Sequence, residues 1–118
     1  MTIQIFHYEF LGPIKLSEWG PPMEEVLYLL LSYNSKTYNF LYAGETGKTD
    51  DKDFFIKNEK FKCWISYAGS QENLYLSIFP MWGSQPEERI KIVNRIVARY
   101  KPACNVEDQS FEKEFLFK

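Results

Sequence analysis

Residues 25–45, EVLYLLLSYNSKTYNFLYAGE, contain the two apolar runs that decide the fold. The runs Glu25–Ser32 and Tyr38–Glu45 are rich in aromatic and aliphatic side chains, which are typical of β-strands. The YNSK sequence between them has the polar composition of a turn. The stretch therefore predicts a β-hairpin with strands at Val26–Ser32 and Tyr38–Ala43.

The rest of the chain carries further strand and helix patterns. Alternation predicts additional strands at Thr2–Phe10, Phe61–Tyr67 and Asn73–Met81. A helix is expected at Lys52–Glu59, which Asp50 or Asp51 can cap. A second is expected at Pro86–Tyr100, since proline is favoured in a first helical turn. The chain from residue 11 to residue 23 is rich in glycine and proline and predicts mostly loop. These elements predict an α+β fold, with a small, mainly antiparallel β-sheet flanked by helices.

Length and composition limit the classes of protein to consider. A chain of 118 residues suffices for one domain, so we expect a single domain over residues 1–118. Its net charge is -2, which argues mildly against strong nucleic-acid binding, although a local basic patch remains compatible with it. No apolar run approaches the length that crosses a membrane, so no membrane partner is expected. The residues at 111–117 are expected to add a last strand or a short helix.

Cysteine and histidine usage predicts no metal centre. The two cysteines, Cys63 and Cys104, do not have zinc-ligand spacing, and we interpret both as buried, reduced thiols of a cytoplasmic protein. The single histidine, His7, lies in the first predicted strand, far in sequence from either cysteine. One histidine cannot form a two-histidine zinc helix, so no metal or other cofactor is expected from these residues.

The hairpin and the last helix together resemble the GIY-YIG nuclease domain, from about residue 25 to residue 105. Val26-Leu27-Tyr28 and Tyr42-Ala43-Gly44 correspond to the two short motifs after which the family is named. Downstream, several residues fall at the positions of the family's helix pattern: Arg89, Ile92, Ile96, Val97, Tyr100, Pro102 and Asn105. The N-terminal strand with its loop and the C-terminal tail are then extensions of this core.

The resemblance implies a remnant of a catalytic site. It assigns Tyr28, Tyr42 and Asn105 to that remnant, and Lys52 is the nearest candidate for a missing helix arginine. Lysine carries a point charge but lacks the planar, bidentate geometry of arginine. Four further residues are expected near this remnant. Gly44, Glu45 and Thr46 belong to the loop expected after the second motif, and Arg89 is the first residue of the helix pattern.

The main departure from the family is at Val93. The resemblance implies a helix glutamate there that binds a divalent cation, and valine has no ligand atom. The residues on the same helix side are not acidic, and Ile90, Val93 and Val97 form an apolar stripe that predicts a buried face. We therefore expect Val93 to be buried and the cation site to be missing.

Two functions are compatible with these residues. The first is a GIY-YIG-like domain that has lost metal-dependent cleavage and acts as a binding or interaction module, with nucleic acid as one candidate partner. The second is a DNA endonuclease with a rearranged site, which would use Mg²⁺ or Mn²⁺, Tyr28, Tyr42 and Lys52. Its carboxylate would come from one of four residues: Glu45, Asp50, Asp51 or Glu59. A protein partner or an aromatic-faced homodimer also stays open, given the 18% aromatic content.

Overall fold

The computed structural model describes residues 2–34 and 36–105 of the chain. Its five strands are β1 (Thr2–Ile5), β2 (Tyr8–Lys15), β3 (Met23–Asn34), β4 (Thr37–Thr49) and β5 (Leu74–Pro80). Its two longer helices are α1 (Phe61–Ala68) and α2 (Pro86–Tyr100), and short 3-10 turns occur at Leu16–Glu18 and Gln71–Asn73. The expected last strand or short helix at 111–117 lies outside the described residues.

All five strands form one antiparallel sheet in the order β1-β2-β5-β3-β4. The hairpin of β3 and β4 is the longest pairing, and it aligns Tyr28 with Gly44 and Leu29 with Ala43. On its other side β3 pairs with β5, so β3 is an interior strand. The predicted α+β class with a mainly antiparallel sheet is therefore confirmed.

The sheet has a separate apolar cluster on each face. Because successive side chains of a strand point to opposite faces, β3 contributes to both clusters. Tyr28 and Leu30 belong to the cluster under α1, which also contains Phe55 and Trp64. Leu27, Leu29 and Leu31 belong to the cluster under α2, which also contains Phe10 and Ile96. We call these the α1 face and the α2 face. The run of apolar residues in β3 is explained by this burial on both faces.

Two of the predicted elements are wrong. Residues 61–67, expected as a strand, form helix α1, in which Trp64 and Ala68 are buried and Gly69 ends the helix with a φ of 85°. The helical spacing of Phe61, Trp64, Ile65 and Ala68 explains this outcome, because it places all four on one helix side. Residues 52–59, expected as a helix, form a series of turns in which Phe55 is fully buried.

The strand boundaries also differ from the prediction. Thr2–Phe10 is interrupted by a turn at Phe6 and His7, and the second strand continues through the expected loop to Lys15. The expected loop after the second hairpin strand, which includes Gly44, Glu45 and Thr46, is instead part of β4. Pairing explains the extension, because β4 stays hydrogen-bonded to β3 until Thr49 faces Met23.

Helix α2 agrees with the predicted range. Pro86 occupies the first turn, and the Gln85 backbone N–H donates to Glu88 Oε1 at 3.0 Å, which satisfies one free donor at the helix start. The predicted apolar stripe is correct only in part. Val93 is half-buried and packs on the α2-face cluster, whereas Ile90 is 45% exposed. At the start of α2 the buried residue is Arg89, whereas the Ile90 side chain points away from the sheet.

Cys63 and Cys104 form a disulfide, so the expectation of two reduced thiols is wrong. The helical form of residues 61–68 places Cys63 beside the segment that follows α2, and the Cα atoms are 5.9 Å apart. The expectation of a cytoplasmic location depended partly on reduced thiols, and the disulfide removes that support. Among the described helices, none combines the length and the apolar character needed to cross a membrane.

Candidate functional site

Tyr28 and Tyr42, the two motif tyrosines, lie together on the α1 face. Their positions on neighbouring strands put the ring centres 6.2 Å apart. The ring centres of Phe55 and Phe54 lie 5.1 and 6.4 Å from that of Tyr28, and both rings are nearly perpendicular to it. Tyr42 lies 5.4 Å from the ring of Trp64. The structure therefore brings the two tyrosines together, but in an aromatic cluster that leaves Tyr28 only 3% exposed.

Gly44 provides the space in which the Tyr28 ring lies. The two residues are direct partners across β3 and β4. A Cβ atom at position 44 would lie 2.5 Å from Cζ and 2.6 Å from the hydroxyl oxygen of Tyr28. No side chain larger than hydrogen fits there unless the tyrosine moves. The glycine of the second motif is thus required for packing against the tyrosine of the first.

The electrostatic environment of Tyr28 favours the neutral phenol. Burial raises the pKa of Tyr28 above its ordinary value, and the nearby Tyr42 and Glu45 raise it further. A side-chain hydrogen bond with Asn58 opposes this change and is the smallest contribution. A buried phenol with a raised pKa keeps its proton at neutral pH. It is therefore poorly suited to accept a proton from an attacking water molecule.

Asn105 joins the segment after α2 to the free edge of β4. Its Oδ1 accepts a hydrogen bond from the Ala43 N–H at 2.8 Å, and its Nδ2 donates to the Ala43 carbonyl at 3.1 Å. Asn105 thus satisfies the backbone of the residue between Tyr42 and Gly44 as a neighbouring strand would. The adjacent residue, Cys104, is bonded to α1. The structure therefore gives Asn105 a positioning contact with the second motif.

Glu45 and Arg89 form an ion pair on the α2 face that sequence reasoning did not find. Arg89 Nε donates to Glu45 Oε1 at 2.9 Å, and Arg89 Nη1 donates to the carbonyl and hydroxyl oxygens of Ser84 at 2.9 and 3.0 Å. Arg89 is 3% exposed. The only signal in the sequence was a charged residue on each element, and sequence spacing could not reveal that they meet. The pair links β4 to the start of α2.

The residues at the position of the implied cation do not fit one. Val93 presents only methyl groups and packs on the α2-face cluster, whereas Tyr28 and Tyr42 lie on the α1 face. The sheet thus separates position 93 from the two tyrosines. No group of three or more histidine, cysteine or acidic side chains converges to form a metal site anywhere in residues 2–34 and 36–105.

Lys52 and the acidic loop residues do not complete a site around Tyr28. Asp50 and Asp51 line a polar cavity of about 380 Å³ beside Phe54, and they pair with Lys48 and Lys57 at 3.5 and 3.2 Å. The Lys57 ammonium group, hydrogen-bonded to Asp51, holds the pKa of that carboxyl below its ordinary value.

Lys52 is exposed and lines a different cavity, of about 280 Å³, beside Trp19. Glu59 is also exposed. Thr46 uses its hydroxyl locally: it donates to the Lys48 carbonyl at 3.0 Å and accepts from the Lys48 N–H at 3.2 Å. These residues are thus distributed over several places rather than gathered at one centre.

An apolar groove of about 490 Å³ occupies the part of the sheet that α1 leaves uncovered. Its floor includes Val26, Leu76 and Ile78, and the exposed Trp82 lines its rim. Glu24 is the only charged side chain among its lining residues. The groove has the size and character of a site for an apolar group, but it contains none of the residues assigned by the motifs other than Val26.

Comparison with known proteins adds no relative: the chain matches no family model, no curated protein and no solved structure.

Proposed function

We propose that this chain is a GIY-YIG-like binding module that has lost metal-dependent phosphodiester cleavage and whose ligand is nucleic acid. The burial of Tyr28 is the observation that carries the loss of cleavage. Because the residue is only 3% exposed, little of its surface is open to water or to a phosphodiester. Its raised pKa also favours the protonated phenol, which is poorly suited to accept a proton from an attacking water molecule.

The engagement of Arg89 supports the same proposal. Cleavage requires positive charge or hydrogen-bond donors that stabilise the charge developing on the phosphoryl oxygens. All three arginines of the chain lie in α2, and Arg89, the one nearest the second motif, is buried and bonded to Glu45 and Ser84. Its Nε and one terminal nitrogen are thus occupied within the fold. Lys52, the other candidate, faces solvent beside a separate cavity.

The apolar surroundings of Val93 are the third support. Catalytic groups must converge within hydrogen-bonding distance of one reacting phosphate. Position 93 packs against the opposite face of the sheet from Tyr28 and Tyr42. A substitute ligand would have to come from Glu45, Asp50, Asp51 or Glu59, and each of the first three already has a cationic partner.

The test is a cleavage and binding assay on the same labelled oligonucleotides. Duplex DNA, single-stranded DNA and RNA are incubated with the purified protein and Mg²⁺ or Mn²⁺, with a chelator control. We expect binding without metal-dependent cleavage. Cleavage that requires metal and disappears in Tyr28→Phe or Tyr42→Phe would instead support the rearranged endonuclease. Failure to bind any of the three substrates would contradict nucleic acid as the ligand.

A further inference from the structure

Helix α2 carries a row of cations along its solvent side. Lys91, Arg95 and Arg99 are spaced four residues apart, so they lie on one side of the helix, and all three are exposed. No acidic residue occurs in the sequence between Glu88 and Glu107. We call these three residues the basic stripe. The net charge of the whole chain hides it, because acidic residues elsewhere compensate for it.

The basic stripe has no anionic partner within the described part of the chain. Ion pairs join Lys48 to Asp50, Lys57 to Asp51 and Arg89 to Glu45, and none of these three includes a residue of the stripe. Like charges four residues apart repel one another and destabilise a helix. An anion bound along the stripe would remove this repulsion, which is a physical reason to expect a polyanionic ligand.

Aromatic rings lie beside two of the three cations, Arg95 and Arg99. The guanidinium carbon of Arg95 is 4.7 Å from the ring centre of Phe6, and that of Arg99 is 5.8 Å from the ring centre of Tyr100. Tyr100 is 45% exposed, and its ring centre lies 6.1 Å from that of Phe40. These contacts hold each guanidinium over a ring and leave its outer edge free to bind an anion.

The aromatic surface continues along the same face to the tip of the hairpin. Tyr38 lies two residues before Phe40 on β4, so the side chains of both residues point to the α2 face. The rings of Tyr33, Tyr38 and Tyr75 form a cluster with centres 4.8 to 6.0 Å apart. Tyr33 and Tyr38 are 38% and 36% exposed. We call these three residues the tyrosine cluster.

We propose that the basic stripe and the tyrosine cluster together bind single-stranded nucleic acid, an inference that rests on the proposed function and specifies its ligand. The phosphates lie along Lys91, Arg95 and Arg99, and unpaired bases stack on the exposed rings. This surface fits a single strand because bases in a duplex are already stacked and cannot reach the tyrosines. An acidic peptide would use the cations but would leave the rings without a role.

The test uses fluorescence anisotropy with a labelled single-stranded oligothymidylate, at several salt concentrations and in the presence of chelator. Three phosphate contacts predict a slope of about -2 in a plot of log affinity against log salt concentration. The double variant Arg95→Gln/Arg99→Gln should bind more weakly, and the slope should become shallower by about 1.4. Lys62→Gln is the matched control, since Lys62 is exposed on α1, over the opposite face.

Stacking is tested by a second pair of variants. Tyr38→Ala should weaken binding by about 5- to 100-fold without changing the salt slope. Tyr67→Ala removes an exposed tyrosine of α1 and should leave the affinity unchanged. Thermal unfolding verifies that each variant is folded. If the double variant does not fold, Lys91→Gln alone should still make the slope shallower by about 0.7.

Several results would overturn this inference while the proposed function stands. One is an equal loss of affinity in Lys62→Gln and in the double variant. Another is binding of a matched duplex that is as tight as binding of the single strand. Equal binding to polyglutamate would indicate an acidic-peptide site, and equal binding to phosphatidylserine vesicles a membrane site, and each would overturn the single-strand assignment. Absence of binding to any nucleic acid would overturn the proposed function as well.

Discussion

Asn105 forms two hydrogen bonds with the backbone of Ala43, one through its side-chain oxygen and one through its side-chain nitrogen. The contact joins residues that are 62 positions apart in sequence. Because β4 is an edge strand, Ala43 would otherwise have an N–H and a carbonyl without partners in the sheet. Asn105 therefore fixes the second motif from outside the sheet, and it links the segment after α2 to the hairpin.

Replacing Asn105 should reduce stability without changing the fold. Asn105→Ala removes both hydrogen bonds and leaves the buried Ala43 backbone unpaired, which costs about 1–3 kcal/mol. Urea unfolding measures the change. Asn94→Ala is the matched control, because Asn94 is exposed on α2 and should change stability by less than about 0.5 kcal/mol. Equal effects of the two substitutions would show that the hydrogen bonds between Asn105 and Ala43 do not stabilise the fold.

Gly44 should not tolerate a methyl group. Gly44→Ala places a Cβ within 2.6 Å of the Tyr28 ring, whose neighbours Phe54 and Phe55 restrict its movement. We expect a loss of about 1–3 kcal/mol in the free energy of unfolding. Gly20→Ala is the control, since nothing lies within 4 Å of the added atom. If Gly44→Ala is as stable as the parent protein, Tyr28 does not pack on Gly44 in solution.

Tyr28 should make the protein sensitive to alkaline pH. The folded chain holds the Tyr28 proton more tightly than the unfolded chain, in which the pKa is near the ordinary 10.0. Above that pH the unfolded state binds fewer protons, so the free energy of unfolding falls as pH rises. Below it both states are protonated and the effect is absent.

The measurement is urea unfolding at neutral pH and at several values above 10.0. Tyr28→Phe should lose less stability over this range than the parent protein. Tyr67→Phe, at an exposed position, serves as the control. Parallel pH profiles for Tyr28→Phe and the parent protein would show that Tyr28 titrates normally.

The disulfide should contribute substantially to stability. It closes a loop across a sequence separation of 41, for which the chain-entropy relation gives about 4 kcal/mol at 25 °C. The double variant Cys63→Ser/Cys104→Ser should therefore unfold at lower denaturant concentration, and reduction by a dithiol should give a similar shift in the parent protein. Thiol titration of the unfolded, unreduced protein should find no free cysteine; finding two would contradict the bond.

Glu45 and Arg89 should be energetically coupled. Removing one member of a buried ion pair costs about 3–5 kcal/mol, and the 25% exposure of the Glu45 side chain should reduce this to about 1–3 kcal/mol. A double-mutant cycle with Glu45→Gln and Arg89→Met isolates the coupling. The exposed pair of Asp51 and Lys57 is the control, with an expected coupling below about 1 kcal/mol. Additive effects at Glu45 and Arg89 would contradict the pair.

Some features of this protein follow from local sequence alone. The hairpin of β3 and β4 was predictable because two apolar runs rich in aromatic and aliphatic residues, joined by a polar turn, specify pairing between neighbours. Helix α2 was predictable because Pro86 favours a first turn and Pro102 prevents continuation. The antiparallel α+β class follows from these elements. Helix α1 was also encoded, in the spacing of Phe61, Trp64, Ile65 and Ala68, but a short apolar run fits a strand equally well.

Other features depend on which distant segments meet, and only the tertiary structure decided them. The disulfide exists because α1 places Cys63 next to the end of α2, and the pairing of Arg89 with Glu45 depends on how α2 lies across β4. The separation of Val93 from Tyr28 by the sheet is of the same kind, since motif spacing carries no information about sheet faces. Sequence determined the local elements because their causes are neighbouring residues. Packing determined the site because burial, charge pairing and the hydrogen bonds of Asn105 join residues that are far apart in the chain.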